Sequence, residues 1–212
     1  MNTGCIQENI HAFTNFPSIS YTLEKGERLV LYAVISQGWS ERKTLHILLN
    51  DEYASCDVVL FFLGKNHETF PCDISIKSHA KATYVSVVVR SLLTGSSSID
   101  MNGRCTLAPG SEKSELFFTS HSLLRSNSAQ ARIIPSLEVE VDDVKAAHAA
   151  TLGKFDEEKM FFLQSRGFTQ KQATQLIAQN FFASHIPKIP EQYKETITKP
   201  LDEFLKKISI SV

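Results

Sequence analysis

The chain has 212 residues and a formal net charge of −1, with acidic and basic residues mixed along it rather than gathered into blocks. That length holds one sizeable core, or one core with a small appended domain, and the charge pattern carries no electrostatic footprint of a nucleic-acid or membrane-surface binder. The longest apolar runs, such as Val58–Leu63, fall far short of the roughly 20 residues that a bilayer-spanning helix needs.

The N-terminus, MNTGCIQENIHAF, lacks a basic segment followed by an apolar core, so no secretory signal is read and the cytoplasm is the expected compartment. Residues 1–26, with the mixed stretch HAFTNFPSISYTLEKGE around their end, are read as an N-terminal segment or cap.

From about Glu27 to about Val144 the pattern is nearly all β: short apolar or alternating runs separated by Gly, Ser, Asn and Asp. In RLVLYAVIS, Leu29, Leu31, Ala33 and Ile35 share one face, because successive strand side chains alternate. LHILL (45–49), DVVLFFL (57–63), DISIK (73–77), TYVSVVV (83–89), SIDMNGRCTL (98–107) and SELFFTS (114–120) follow as strand candidates. In SLEVEVDD, Leu137, Val139 and Val141 are expected to face a core while Glu138 and Glu140 face water. The spacing between candidates varies, so periodicity leaves a sandwich and a solenoid of stacked coils both open. The four cysteines, Cys5, Cys56, Cys72 and Cys105, form no CxxC pair and are read as reduced, structural and buried.

After Gly153 the period changes. Asp156 is placed to cap a helix, Glu157 and Glu158 suit the positive end of its dipole, and Gly167 suits the left-handed residue that ends it. Thr169 and Gln172 form a capping box for a second helix whose stripe is Ala173, Leu176, Ile177 and Phe181. The two are expected to make a helical hairpin with one apolar face. A weaker pattern follows at Tyr193, Ile197, Leu201 and Leu205, with Pro200 expected to kink or break it at about 3 kcal/mol.

No phosphate-binding GxxxxGK[ST] or GxGxxG, no GxSxG elbow and no HExxH occurs, and the seven histidines are scattered. The chain is therefore expected not to be an enzyme and to bind no nucleotide itself.

Four motifs in register carry a resemblance. They are Gly103-Arg104 followed by Pro109-Gly110; Leu123-Leu124 with Ser126 and Ala129; PSLEVEVDDVKAAHAATLG from Pro135 to Gly153; and DEEKMFFLQSRG from Asp156 to Gly167. Together they resemble the C-terminal half of the SufB/SufD family of iron-sulfur cluster assembly scaffolds, SufD-type and shortened at the N-terminus. The resemblance implies a mainly β chain: a right-handed parallel β-helix core over 27–153 and a small C-terminal α-helical domain over 154–212. It implies a SufC-like ABC ATPase docked on the C-terminal helices, with Phe161, Phe162, Leu163, Arg166 and Gly167 as the docking motif. It also implies pairing with a SufB-like subunit or with a second copy, and a transient iron-sulfur cluster at that junction, with no nucleic-acid or membrane partner.

His148 matches the histidine that the family associates with the cluster, and a neutral imidazole suits iron. Two positions depart from the pattern. Ala146 stands where SufD-type members often carry Cys, and Ala149 where SufB-type members carry Glu, which leaves a poorer ligand set. The competing readings are a scaffold subunit that has kept docking but lost cluster chemistry, and a carbohydrate-active β-helix. The latter needs clustered acidic, basic and aromatic side chains in a groove. Asp142 and Asp143 are read as turn and surface residues.

Overall fold

The computed structural model describes residues 8–208. Strands β1 (Glu8–Phe13), β3 (Arg28–Ile35), β5 (Ser55–Gly64), β7 (Tyr84–Leu93), β9 (Glu115–Leu124) and β11 (Lys145–Lys154) lie side by side in one parallel sheet. Strands β2 (Ser20–Leu23), β4 (Lys43–Leu49), β6 (Thr69–Ser78), β8 (Ser98–Leu107) and β10 (Gln130–Val139) make the second. Each strand pairs in parallel with the one two places on. The chain thus winds from sheet to sheet as a β-solenoid, and of the two open architectures the sandwich is excluded. Arg28, Ser55, Tyr84, Glu115 and Lys145 stand in one row at unequal intervals. Unequal coils are why the sequence shows no strict repeat. The described part of the N-terminal segment, β1 and β2, forms the first coil.

The coils turn at stacked left-handed residues. Tyr53, Ala82, Lys113 and Asp143 all have positive φ, and the Lys113 N–H donates to the Asp143 carbonyl at 2.7 Å. Asp143 thus continues the turn ladder of the coils below it.

Two apolar clusters follow from the alternation of strand side chains. Leu29, Leu31, Ala33 and Ile35 point into the lumen with Leu60, Phe62, Val87, Met101 and Phe118. Val30, Tyr32 and Val34, on the opposite face of β3, are buried as well, under the C-terminal helices. A strand buried on both faces reads as a continuous apolar run, which is what LVLYAVI is.

Helices α1 (Glu157–Ser165), α2 (Gln170–Ala183) and α3 (Glu191–Ile208), with a 3₁₀ turn at Ile186–Lys188, make up the remaining described elements. Asp156 caps α1 through the Lys159 N–H, Gly167 follows it at φ +92°, and Thr169 and Gln172 form the capping box of α2. The tyrosines fasten this layer to the solenoid: the Tyr32 hydroxyl donates to the Lys188 carbonyl at 2.9 Å, and Tyr193 donates to that of Ile10 at 3.1 Å.

Two expectations are corrected, and a third is qualified. The buried face of α2 is Ala173, Thr174, Ala178 and Phe182, with Phe182 packed on Phe61 at 4.9 Å. The predicted stripe is rotated from it because α2 packs on the sheet and not only on α1, leaving Leu176 42% exposed. Helix α3 runs through Pro200 unbroken, as Ile197, Leu201, Phe204 and Leu205 are buried on either side of it and their burial offsets the lost backbone bond. Val139 stands in the core-facing row as expected, in register with the lumen residue Leu107, but is 44% exposed, because β10 ends the second sheet and no further coil covers it.

Candidate functional site

The solenoid ends in two ten-residue edge strands, β10 and β11, each hydrogen-bonded along one side only. Such edges present backbone donors and acceptors to any further strand. His148 sits in the middle of β11, in register with Phe118 of β9. Phe118 is a lumen residue, so His148 belongs to the lumen-facing row, one coil beyond the last closed one, and is exposed. Its neighbours in that row are Ala146 and Ala150. Ala146 packs against the lumen core, and Ala150 borders a recess of about 90 Å³ with Ser120, Ser122 and Ile133.

Among the described residues no three His, Cys, Asp or Glu side chains come together to hold a metal ion. Cys56, Cys72 and Cys105 are buried free thiols in the lumen. Burial raises the pKa of all three, that of Cys105 to about 12, so they are held as neutral thiols. Cys5 lies outside the described residues. At the open end, His148 is the candidate nitrogen ligand that the motifs single out.

The residues expected to dock a partner lie at a second place. Phe161 is 74% and Phe162 55% exposed. Phe162 and Leu163 of α1 line a groove of about 620 Å³ whose other wall is Leu176, Ile177 and Phe181 of α2, closed at the solenoid by Leu123 and Lys154. The Arg166 guanidinium lies 5.3 Å from the centre of the Phe162 ring, and Gly167 ends the helix rather than touching the groove. Sequence reading missed the walls contributed by α2 and by Leu123 and Lys154. The α2 residues are legible as the apolar stripe of the hairpin.

The outer face of the second sheet is polar. Arg42 pairs with Asp73 and Asp100, Arg132 with Asp100, and the Asn102 amide donates to Asp73. No Phe, Tyr or Trp stands among the outward residues of β4, β6 and β8, so the stacking platform that the carbohydrate reading requires is missing there.

The chain matches the family described as SUF system FeS cluster assembly, SufBD core domain, over residues 1–181. It is 39% identical over 82 residues to the iron-sulfur cluster assembly protein SufD of Escherichia coli, covering 39% of this chain and 19% of that protein. A SufBD family protein of Mycobacterium leprae is 36% identical over 88 residues, covering 41% and 22%. The SufD protein of Bacillus subtilis is 26% identical over 151 residues, covering 71% of this chain and 35% of that one. The chain thus spans between about a fifth and a third of these relatives' lengths. No described helix is long and apolar enough to cross a membrane. With the family matched over most of its length and the solenoid in place, the chain belongs to the SufB/SufD family of iron-sulfur cluster assembly proteins.

Proposed function

We propose that this chain is a non-catalytic, SufD-like scaffold subunit acting in the cytoplasm. It presents His148 to an iron-sulfur cluster that assembles at a junction with a SufB-like subunit or a second copy, and docks a SufC-like ABC ATPase on its C-terminal helices. The observation that carries this reading is the position of His148, exposed in the lumen row of an unpaired edge strand. A partner strand added to β10 or β11 would bring its own side chains beside that imidazole, which suits a cluster shared between chains. The cluster is cargo, and thiolate or carboxylate ligands come from the partner because Ala146 and Ala149 offer none.

The α1–α2 groove supports the ATPase half of the proposal. Exposed aromatic side chains beside an apolar groove, with Arg166 stacked on one of them, are the residue types enriched in binding hot spots. The carboxyl and amino groups of Asp156 and Lys159 pair at its rim at 3.1 Å.

A second reading, docking without cluster chemistry, is favoured by those same two alanines. One experiment separates them. The chain is co-expressed with SufB-like and SufC-like partners, and iron and sulfide are measured per purified complex for wild type, His148→Ala and Phe162→Asp. Cluster loss in His148→Ala with the complex intact supports the first reading, and unchanged cluster content the second. ATPase loss in Phe162→Asp locates docking at the groove. Failure of the folded wild-type chain to retain any such ATPase removes the assembly role.

A further inference from the structure

On the outer face of the first sheet, Phe61 of β5, Arg90 of β7, His121 of β9 and Thr151 of β11 stand side by side in one row. The helical layer closes over the first two. The Arg90 guanidinium lies 5.0 Å from the centre of the Phe181 ring of α2, and the His185 ring, just past that helix, packs on Phe61 with centres 6.4 Å apart. Three basic side chains thus gather where the helices meet the solenoid.

Their surroundings carry charge of one sign. His121 feels the charge of Arg90, and His185 feels those of Arg90, Lys188 and His121. Among the described residues none of the three basic side chains makes an ion pair. Burial lowers the pKa of Arg90, so a permanent cation is held partly out of water with no carboxylate to answer it.

Two nitrogens of this cluster are also orphaned. Arg90 Nε and His185 Nε2 are both buried and have no hydrogen-bond partner among the described residues. Buried polar groups are almost always paired, and an unpaired one points to a missing water or ion. Phe61 and Phe181 bear no acceptor atom, so the two ring contacts leave both nitrogens unsatisfied. His121 differs, because its Nδ1 is engaged with the Thr151 hydroxyl.

We propose that a small monovalent anion binds at this junction, bridging the Arg90 Nε–H and the His185 Nε2–H. Guanidinium and imidazole N–H groups are donors of charge-assisted bonds to anions, and these strengthen where water is excluded. With both imidazoles neutral at pH 7 the site offers one permanent positive charge, which one negative charge balances. The burial of both nitrogens admits only a small guest. The site is separate from His148, and of the α1–α2 groove it shares only Phe181.

Calorimetric titration of the whole chain at pH 6 and low ionic strength, with sodium formate and separately with sodium chloride, is expected to show one saturable site. Formate binding the tighter assigns recognition to paired N–H bonds from the guanidinium edge, and chloride binding as tightly or more assigns it to charge and size. Arg90→Gln should weaken binding at least about tenfold, the loss of one charge-assisted bond, and Arg90→Lys, which keeps the charge, should weaken it less. Arg104→Gln, on the other sheet, should leave binding unchanged, and circular dichroism checks that the variants keep the fold. A bound anion favours the protonated imidazole, so wild-type affinity should rise as pH falls from 7.5 to 5.5, and rise less in His185→Gln. No saturable binding of either anion, unaltered binding in Arg90→Gln, or the same pH profile in His185→Gln as in wild type overturns the proposal.

Discussion

Phe118 lies with its ring directly over Gly103 across the lumen: a Cβ built on the glycine would come within 2.5 Å of that ring. Gly103 is on β8 and Phe118 on β9, in facing sheets, so the glycine is the notch that lets the aromatic fill the lumen below His148. Gly103→Ala is expected to cost about 1–3 kcal/mol from overpacking, read as a lower urea midpoint. Phe118→Leu should relieve part of that cost in the double variant, because residues in contact couple. Strict additivity of the two changes would count against the contact.

His148 and Phe118 occupy the same row but different environments. Phe118→Ala should destabilise the chain by about 3–5 kcal/mol, as truncation of a buried aromatic does. His148→Ala should change stability by no more than about 0.5 kcal/mol, the usual range for an exposed side chain. Denaturant titration of both variants checks the contrast. A large cost for His148→Ala would give it a packing role and weaken its assignment to a cluster.

The helical layer should loosen in mild acid. Burial, then the charges of Arg90, Lys188 and His121, lower the pKa of His185 to about 4 from 6.5. Burial and then Arg90 lower that of His121 as well. The folded chain therefore takes up these protons at lower pH than the unfolded chain does. Their contribution to stability is complete above about pH 6.5 and is lost progressively as pH falls toward 4. Arg90 stacks on Phe181 of α2, and the His185 ring packs on Phe61, so the loss should centre on the contact between α2 and the first sheet. Urea midpoints between pH 7.5 and 4.5 should fall less steeply in His185→Gln than in wild type. Parallel profiles would remove His185 as the cause.

Three of the thiols should be silent. Cys56, Cys72 and Cys105 are buried and held protonated by that burial, and reaction requires an accessible thiolate. Alkylation at neutral pH followed by peptide mass spectrometry should leave all three unmodified in the native chain and modify them in urea. Rapid native labelling of Cys105 would show that the lumen opens.

Strand positions were legible because alternation reports burial locally: SIDMNGRCTL is β8 residue for residue, and the capping residues Asp156 and Thr169 were readable for the same reason. The helix face was not. Ala173, Leu176, Ile177 and Phe181 make a plausible stripe, yet of these only Ala173 is buried, with Thr174, Ala178 and Phe182 completing the packed face, because the sheet surface under α2 is assembled from Phe61 and Leu63 far away in sequence. Pro200 misled in the same way, a local penalty outweighed by distant packing.

For the candidate residues, the sequence by itself determined which motifs are present, and with them His148, the helical motif Asp156–Gly167 with its aromatics, and the family. Tertiary structure decided where they stand. The parallel register put His148 in the lumen row above Phe118 at an open edge, and the packing of α2 left Leu176 and Phe181 to face Phe162 across a groove. Alternation and capping are set by residues within a few positions of one another. Register and groove depend on contacts between coils and helices far apart in the chain, which no local pattern encodes.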